Sequence, residues 1–217
     1  MSNSPRHRPF LVVLSSPSGA GKTSICRGVV ARDRSVAYSV SATTRPRRPG
    51  ETHGRSYWFC TEPEFDRLRR AGGLLESARV YDYHYGTPRL RVEAQFRRGR
   101  DVIADLDIQG MRSCKRALPG TVGIFITAPD SQELARRLRD RGTDSTAVIA
   151  RREAEREAEL AAIPDFDYLV VNDRLEDAIR DVMAIVRAER LRTARMNPGR
   201  NEPPRRRAPR ATRKEKA

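Results

Sequence analysis

The chain has 217 residues, with 43 Lys+Arg against 28 Asp+Glu and a formal net charge of +15. That length suits one compact domain, or one carrying inserted subdomains, and supplies enough chain for a sizeable core. Hydrophobic residues make up 38% and charged residues 33%, and the longest early apolar run is only Phe10 to Leu14, so a cleaved signal and a membrane span are both disfavoured. Cys26, Cys60 and Cys114 are far apart, form no CxxC pair and have no histidine at metal-ligand spacing. A disulfide framework is therefore not expected, and three small buried hydrophobes in the reducing cytoplasm fit the count.

In chain order, Phe10 to Leu14, Val102 to Leu106, Val122 to Ile126 and Tyr168 to Val171 are short apolar runs of the kind found in buried parallel strands. Longer amphipathic stretches separate them. Thr61 with Glu64, Asp130 with Glu133, and Asp173 with Glu176 each place a cap residue three positions before a glutamate. Thr87 followed by Pro88 predicts a cap and a first-turn proline for another helix. This alternation predicts an α/β fold with a parallel sheet flanked by helices. Two stretches break it. Ser41 to Tyr85, with several prolines, glycines and aromatics, has the character of an inserted subdomain with short strands of its own. Arg136 to Arg156 is densely charged, with a turn at Arg141 to Asp144 between two helices. Both are placed to cover a site.

The positive charge is uneven. Residues 197–217 carry eight basic residues, two acidic ones and four prolines, with almost nothing apolar. Such a segment cannot repay its ordering entropy, so disorder is expected, with at most weak attraction to nucleic-acid phosphates. Residues 1–196 keep a net charge of +9, which suits a polyanion surface or a pocket for small phosphorylated ligands.

The segment Ser16, Pro17, Ser18, Gly19, Ala20, Gly21, Lys22, Thr23 lies between the first strand and a helix. It matches the phosphate-binding pattern G-x-x-x-x-G-K-[ST] except that Ser16 replaces the first glycine. Gly19 and Gly21 allow backbone amides to turn toward phosphate oxygens, and the following helix adds the positive end of its dipole. Lys22 supplies a point charge for the β- and γ-phosphates, and Thr23 a hydroxyl for Mg²⁺. Further along, Arg45 and Arg48 sit among Pro46 and Pro49, where a stiffened backbone could present two guanidiniums to a dianionic phosphate. Glu76 lies among apolar neighbours and needs a partner if ionised. Asp105 and Asp107 end a strand at the carboxyl edge of the expected sheet, a place suited to Mg²⁺ and ligand contacts.

With SSPSGAGKTS at 15–24, SVSATTRPRRPGE at 39–51, HGRSYWF at 53–59, LLESARVYDYHYGT at 74–87, DLDIQG at 105–110, RRLRDRGTD at 136–144 and DYLVVND at 167–173, the chain resembles the guanylate kinases, ATP:GMP phosphotransferases. The resemblance runs from about Phe10 to Arg192. It implies a P-loop core at 10–40, 88–135 and 166–196, a mixed α/β GMP-binding insertion at 41–87 and a helical lid at 136–165, between an extension at 1–9 and the basic tail at 197–217. It implies that residues 16 to 24, including Ser24, hold ATP together with Asn172 near the adenine. Ser41, Arg45, Arg48, Tyr57, Glu76, Tyr85, Thr87 and Asp107 are implied for GMP. Glu76 would accept from guanine N1–H and N2–H₂, a pair that adenine does not offer, and Ser41 and Thr87 would add hydroxyl contacts to the base. Asp105 is implied beside Mg²⁺, through water. Arg137, Arg141 and Arg152 match lid arginines that would neutralise the transferring phosphoryl group with Lys22 and Arg45.

The reaction implied is reversible transfer from MgATP to GMP, and to dGMP, in purine nucleotide metabolism, by a cytoplasmic monomer or homo-oligomer without a dedicated nucleic-acid or membrane partner. Three rivals differ in a checkable way. A non-catalytic module of the same family would be expected to lose P-loop or lid residues, which are all present here. A P-loop kinase with another acceptor would not need Glu76, Ser41 and Thr87. An RNA-binding protein would carry interleaved aromatic motifs that the core lacks.

Overall fold

The structure is a computed structural model that describes residues 7–17, 20–80, 82–129 and 159–196. Its first strand, β1 (Leu11–Ser15), is buried along its whole length. Alternate side chains of a strand point to opposite faces, and β1 uses both. Val12 and Leu14 pack with Ile25, Val29, Ile179, Val182 and Val186 of helices α1 (Lys22–Arg32) and α5 (Leu175–Arg190). Leu11 and Val13 pack on the other side with Val92 of α3 (Arg89–Arg97) and with Met111 and Cys114 of α4 (Ile108–Ala117). A strand covered on both faces needs an uninterrupted apolar run, which is what the sequence supplies.

Parallel pairing extends β1 into a five-stranded sheet in the order β2-β7-β1-β8-β9, where β2 is Val36–Tyr38, β7 Asp101–Asp105, β8 Val122–Thr127 and β9 Tyr168–Val171. The four expected strands are present within one residue of their predicted ends. The edge strand β2 was not expected, because three residues are too few to show a period. A second sheet, β4-β3-β6-β5, forms within residues 42–88 from β3 (Ala42–Thr43), β4 (Trp58–Phe59), β5 (Leu74–Val80) and β6 (Tyr83–Pro88). Among the described residues no helix is long and apolar enough to cross a membrane.

The cap expectations divide. Thr61 and Glu64 form the reciprocal capping box of α2 (Glu62–Arg70). Thr87 does not cap a helix: it belongs to β6, α3 begins after Pro88, and the Thr87 hydroxyl is used inside the protein instead. Asp173 is also displaced, because α5 starts one residue later with Arg174 at its N-cap and no side-chain cap bond. The pair Asp130 and Glu133, and residues 136–158 of the expected lid, lie outside the described residues, as does the tail.

Helices α1 and α5 approach so closely that a β-carbon on Gly28 would meet Ile179 Cδ1 at 2.3 Å. Ile179 is itself fully packed, so it has nowhere to move. Gly28→Ala gains about 1 kcal/mol of helix propensity, but the overpacking costs more, roughly 2 kcal/mol. Urea denaturation should therefore show a net loss of stability; a gain would mean that the two helices have room to separate.

Candidate active site

The loop after β1 is built from short local bonds. The buried Ser16 hydroxyl donates to Pro17 O at 2.8 Å, and the Lys22 ammonium donates to Ser16 O at 3.2 Å. Gly21, at φ 90° and in the N-cap position of α1, makes the left-handed turn into the helix. Its missing side chain matters twice, since a β-carbon there would also lie 2.5 Å from Asn172 Nδ2. Asn172 is buried and donates from that nitrogen to Ala20 O at 2.8 Å, so it braces the loop from the end of β9. Burial holds the Lys22 ammonium below its usual range, while Asp105 pulls it back up. Ser24 is exposed on α1. Ser18 and Gly19 lie outside the described residues.

Register explains why Asp105 is close. Strand β1 pairs with β7 through Leu14↔Asp105, two residues before the loop begins at Ser16. The Thr23 hydroxyl, in the first turn of α1, donates to Asp105 Oδ2 at 2.6 Å, and the Tyr38 hydroxyl donates to Asp105 Oδ1. Among the described residues no group of three or more His, Cys, Asp and Glu side chains is placed to hold a metal. A hydroxyl beside one carboxylate, next to a phosphate loop, is the donor set of Mg²⁺ bound mainly by water and substrate phosphates.

A cavity of about 380 Å³ opens beside this pair, lined by Thr23, Asp105 and Asp107 at one end and by Ser41, Tyr57, Glu76 and Tyr85 of the inserted subdomain. Glu76 is 8% exposed and receives the Thr87 hydroxyl at 2.7 Å. Burial, reinforced by the negative charge of Asp107, pushes its carboxyl up to about 7 against the pull of Thr87. Asp107 caps α4, accepting from Gly110 N at 2.6 Å; one of its oxygens is thus occupied while the residue still borders the cavity. Arg45 and Thr87 are buried and are not among the residues that line the cavity.

The arginine pair differs from the sequence expectation. Arg45 is held, but by Glu51 rather than by proline stiffness: its Nη2 donates to Glu51 Oε1 at 2.5 Å and its Nη1 to Pro46 O at 2.9 Å. The guanidinium also lies 5.4 Å from the centre of the Tyr57 ring. The Arg48 side chain is exposed, and its backbone is fixed by Glu51: the Arg48 N–H donates to Glu51 Oε2 at 2.8 Å, and the Arg48 carbonyl accepts from Glu51 N at 3.2 Å. Glu51 and Tyr38 are the residues that sequence reasoning missed. Glu51 was visible as the acidic end of the arginine-proline run; nothing in the three-residue β2 pointed to Tyr38. Arg137, Arg141 and Arg152 lie outside the described residues.

The raised Glu76 carboxyl has a stability consequence with a definite sign. The folded protein holds this proton more tightly than the unfolded chain, whose group titrates near 4.5. The contribution is fully present below pH 4.5 and is lost as pH rises through about 7. Glu76→Gln removes that loss. The stability of the variant relative to the parent should rise by on the order of 2–3 kcal/mol between pH 4.5 and 8, read by urea titration at both pH values. An unchanged difference would mean that Glu76 ionises freely in the fold.

The guanylate kinase family model matches residues 8–189. The guanylate kinase of Rhodospirillum rubrum is 48% identical over 189 residues, which are 87% of this chain and 87% of that protein. That of Sphingopyxis alaskensis is 47% identical over 189 residues, covering 87% and 86%. The crystal structure of guanylate kinase from Anaplasma phagocytophilum superposes with a TM-score of 0.69 at 29% identity, covering 90% of this chain and 93% of that one. With a P-loop between β1 and α1, an acidic strand end beside it and a buried carboxylate across the cavity, this chain belongs to the guanylate kinase family.

Proposed function

We propose that the protein transfers the γ-phosphoryl group of MgATP reversibly to GMP, giving ADP and GDP, and that it accepts dGMP as well. The observation that carries the reading is the position of Glu76: a carboxylate buried in the wall of the same cavity that the P-loop threonine and Asp105 close at the other end. Guanine presents two adjacent donors, N1–H and N2–H₂, to such a group. A base without them leaves Glu76 buried and unmatched, which is a strong basis for rejection. Thr87, already donating to one Glu76 oxygen, orients the carboxylate, and Ser41 adds a hydroxyl at the cavity wall.

The other residues act on phosphate. Arg45, Tyr57 and Tyr85 are assigned to the GMP phosphate, with the base on Glu76, and Arg48 would join from its exposed position. Glu51 keeps the Arg45 guanidinium turned toward the subdomain until a dianion shares it. Lys22 and the loop residues from Ser16 to Ser24 hold the triphosphate, with Asn172 fixing the loop and bordering the adenine side. Thr23, and Asp105 through water, would hold Mg²⁺, whose chemistry is to neutralise charge on the β- and γ-phosphates. Asp107 faces the GMP side. Arg137, Arg141 and Arg152 are assigned to charge neutralisation over the transferring group. No catalytic base is required, because a phosphate monoester with a second pKa of about 6 already presents an anionic oxygen at neutral pH.

Cytoplasmic placement is part of the proposal, supported by the free thiols of Cys26, Cys60 and Cys114. The reading assigns no role to membrane or nucleic acid; the basic run at 197–217 adds at most weak phosphate attraction. A monomer and a homo-oligomer are equally compatible with the site.

An ADP-release assay with MgATP and GMP, AMP, CMP or UMP tests the reading. Turnover is expected with GMP alone, and Glu76→Ala should lower kcat/KM for GMP by roughly 100-fold or more, since two hydrogen bonds to a charged group are lost. Background hydrolysis of ATP with every acceptor would contradict the catalytic assignment.

A further inference from the structure

Tyr38 belongs to none of the groups assigned above, yet its hydroxyl reaches into the reaction zone. It ends β2, which pairs with β7 through Val36↔Asp101 and Tyr38↔Ile103. Asp105 is two residues further along β7, about 6.6 Å, a distance that a tyrosine side chain spans. The two acceptor oxygens of Asp105 are thereby divided between donors on two different elements: Tyr38 of β2 on Oδ1 and Thr23 of α1 on Oδ2. All three residues border the same cavity.

We infer that Tyr38 is a positioning residue that fixes the Asp105 carboxylate, and through it the Thr23 hydroxyl, in the orientation that receives the divalent cation of the nucleotide. The inference rests on the assignment of Thr23 and Asp105 to the metal side of the triphosphate. A threonine hydroxyl that gives its proton to a carboxylate has only lone pairs left to turn outward, which is what a hard cation needs. That arrangement holds only while the carboxylate stays in place. An aspartate at a strand end can rotate about two side-chain bonds, and the nearby Lys22 ammonium, which interacts electrostatically with Asp105, is a competing attraction. With Tyr38 holding Oδ1, Oδ2 stays on Thr23. Without it, the carboxylate can swing toward Lys22 and leave the Thr23 proton facing the cation.

Tyr38→Phe removes one oxygen atom and keeps the ring that packs against the core. Mn²⁺ serves as the probe, titrated into the protein with ADP present and followed by the electron paramagnetic resonance signal of the free ion. The variant should bind Mn²⁺ in the ADP complex about tenfold more weakly, the effect of losing one hydrogen bond to a charged group. Its affinity for ADP in EDTA and its affinity for GMP should match the parent, and its Tm should fall only slightly, by what one lost hydrogen bond costs. Adding Tyr38→Phe to Asp105→Asn should weaken Mn²⁺ binding no further, because the hydroxyl acts through that carboxylate. Unchanged Mn²⁺ affinity would overturn the inference. So would a loss of GMP affinity with Mn²⁺ binding intact, which would make Tyr38 an acceptor contact, or a parallel fall in all three affinities and in Tm, which would make it structural. If the parent protein added nothing to the affinity of ADP alone for Mn²⁺, the metal assignment itself would fail, an outcome separate from these.

Discussion

The parallel pairing of β1 with β7 is the constraint from which the active site follows. Both strands are buried on both faces, so neither has a free face on which to carry chemistry; the carboxylates of β7 stand at its ends, Asp101 at the amino end bonded to Arg190 and Asp105 at the carboxyl edge of the sheet. The register Leu14↔Asp105 then sets an acidic residue beside the start of the P-loop. The 2.6 Å bond from Thr23 ties the first turn of α1 to that strand end. The loop is braced from a third strand by Asn172. Three strand ends of one sheet, those of β7, β1 and β9, thus hold the phosphate side of the site, and the core packing fixes their spacing.

The acceptor side obeys a different logic. The small sheet around β3 and β6 carries groups whose charged forms are unfavourable where they stand: a carboxyl at Glu76 whose ionisation burial opposes, and a buried guanidinium at Arg45. Each is only partly compensated within the chain, Glu76 by Thr87 and Arg45 by Glu51 and the Pro46 carbonyl. On the proposed assignment, guanine offers Glu76 two donors and a phosphate offers Arg45 a dianion, so a ligand with both would complete what the fold leaves unfinished. Affinity and selectivity then share one cause, the cost of leaving these groups unmatched.

Most of the core was legible because its signals are local. Four apolar runs, a Gly-Lys-Thr loop and a capping box at Thr61 each need only neighbouring residues to be read. What escaped depended on distant partners. Tyr38 matters because β2 pairs with β7, and a three-residue strand has no period to announce it. Thr87 carried the local signature of a helix cap, but Glu76, eleven positions away, takes its hydroxyl. The different settings of the two arginines escaped for a similar reason: proline explains where the backbone goes, whereas Glu51 decides that Arg45 is buried and Arg48 exposed.

The central claim is that a buried carboxyl at Glu76 selects the acceptor by meeting guanine as an anion. The most direct measurement is a ¹³C NMR titration of the Glu76 carboxyl carbon with and without saturating GMP. Without ligand the midpoint should lie near the raised value of about 7. With GMP bound the resonance should be that of a carboxylate throughout pH 5.5 to 8, because two donors stabilise the charged form. A midpoint that GMP leaves unmoved would contradict the account, since the base would then be recognised without Glu76.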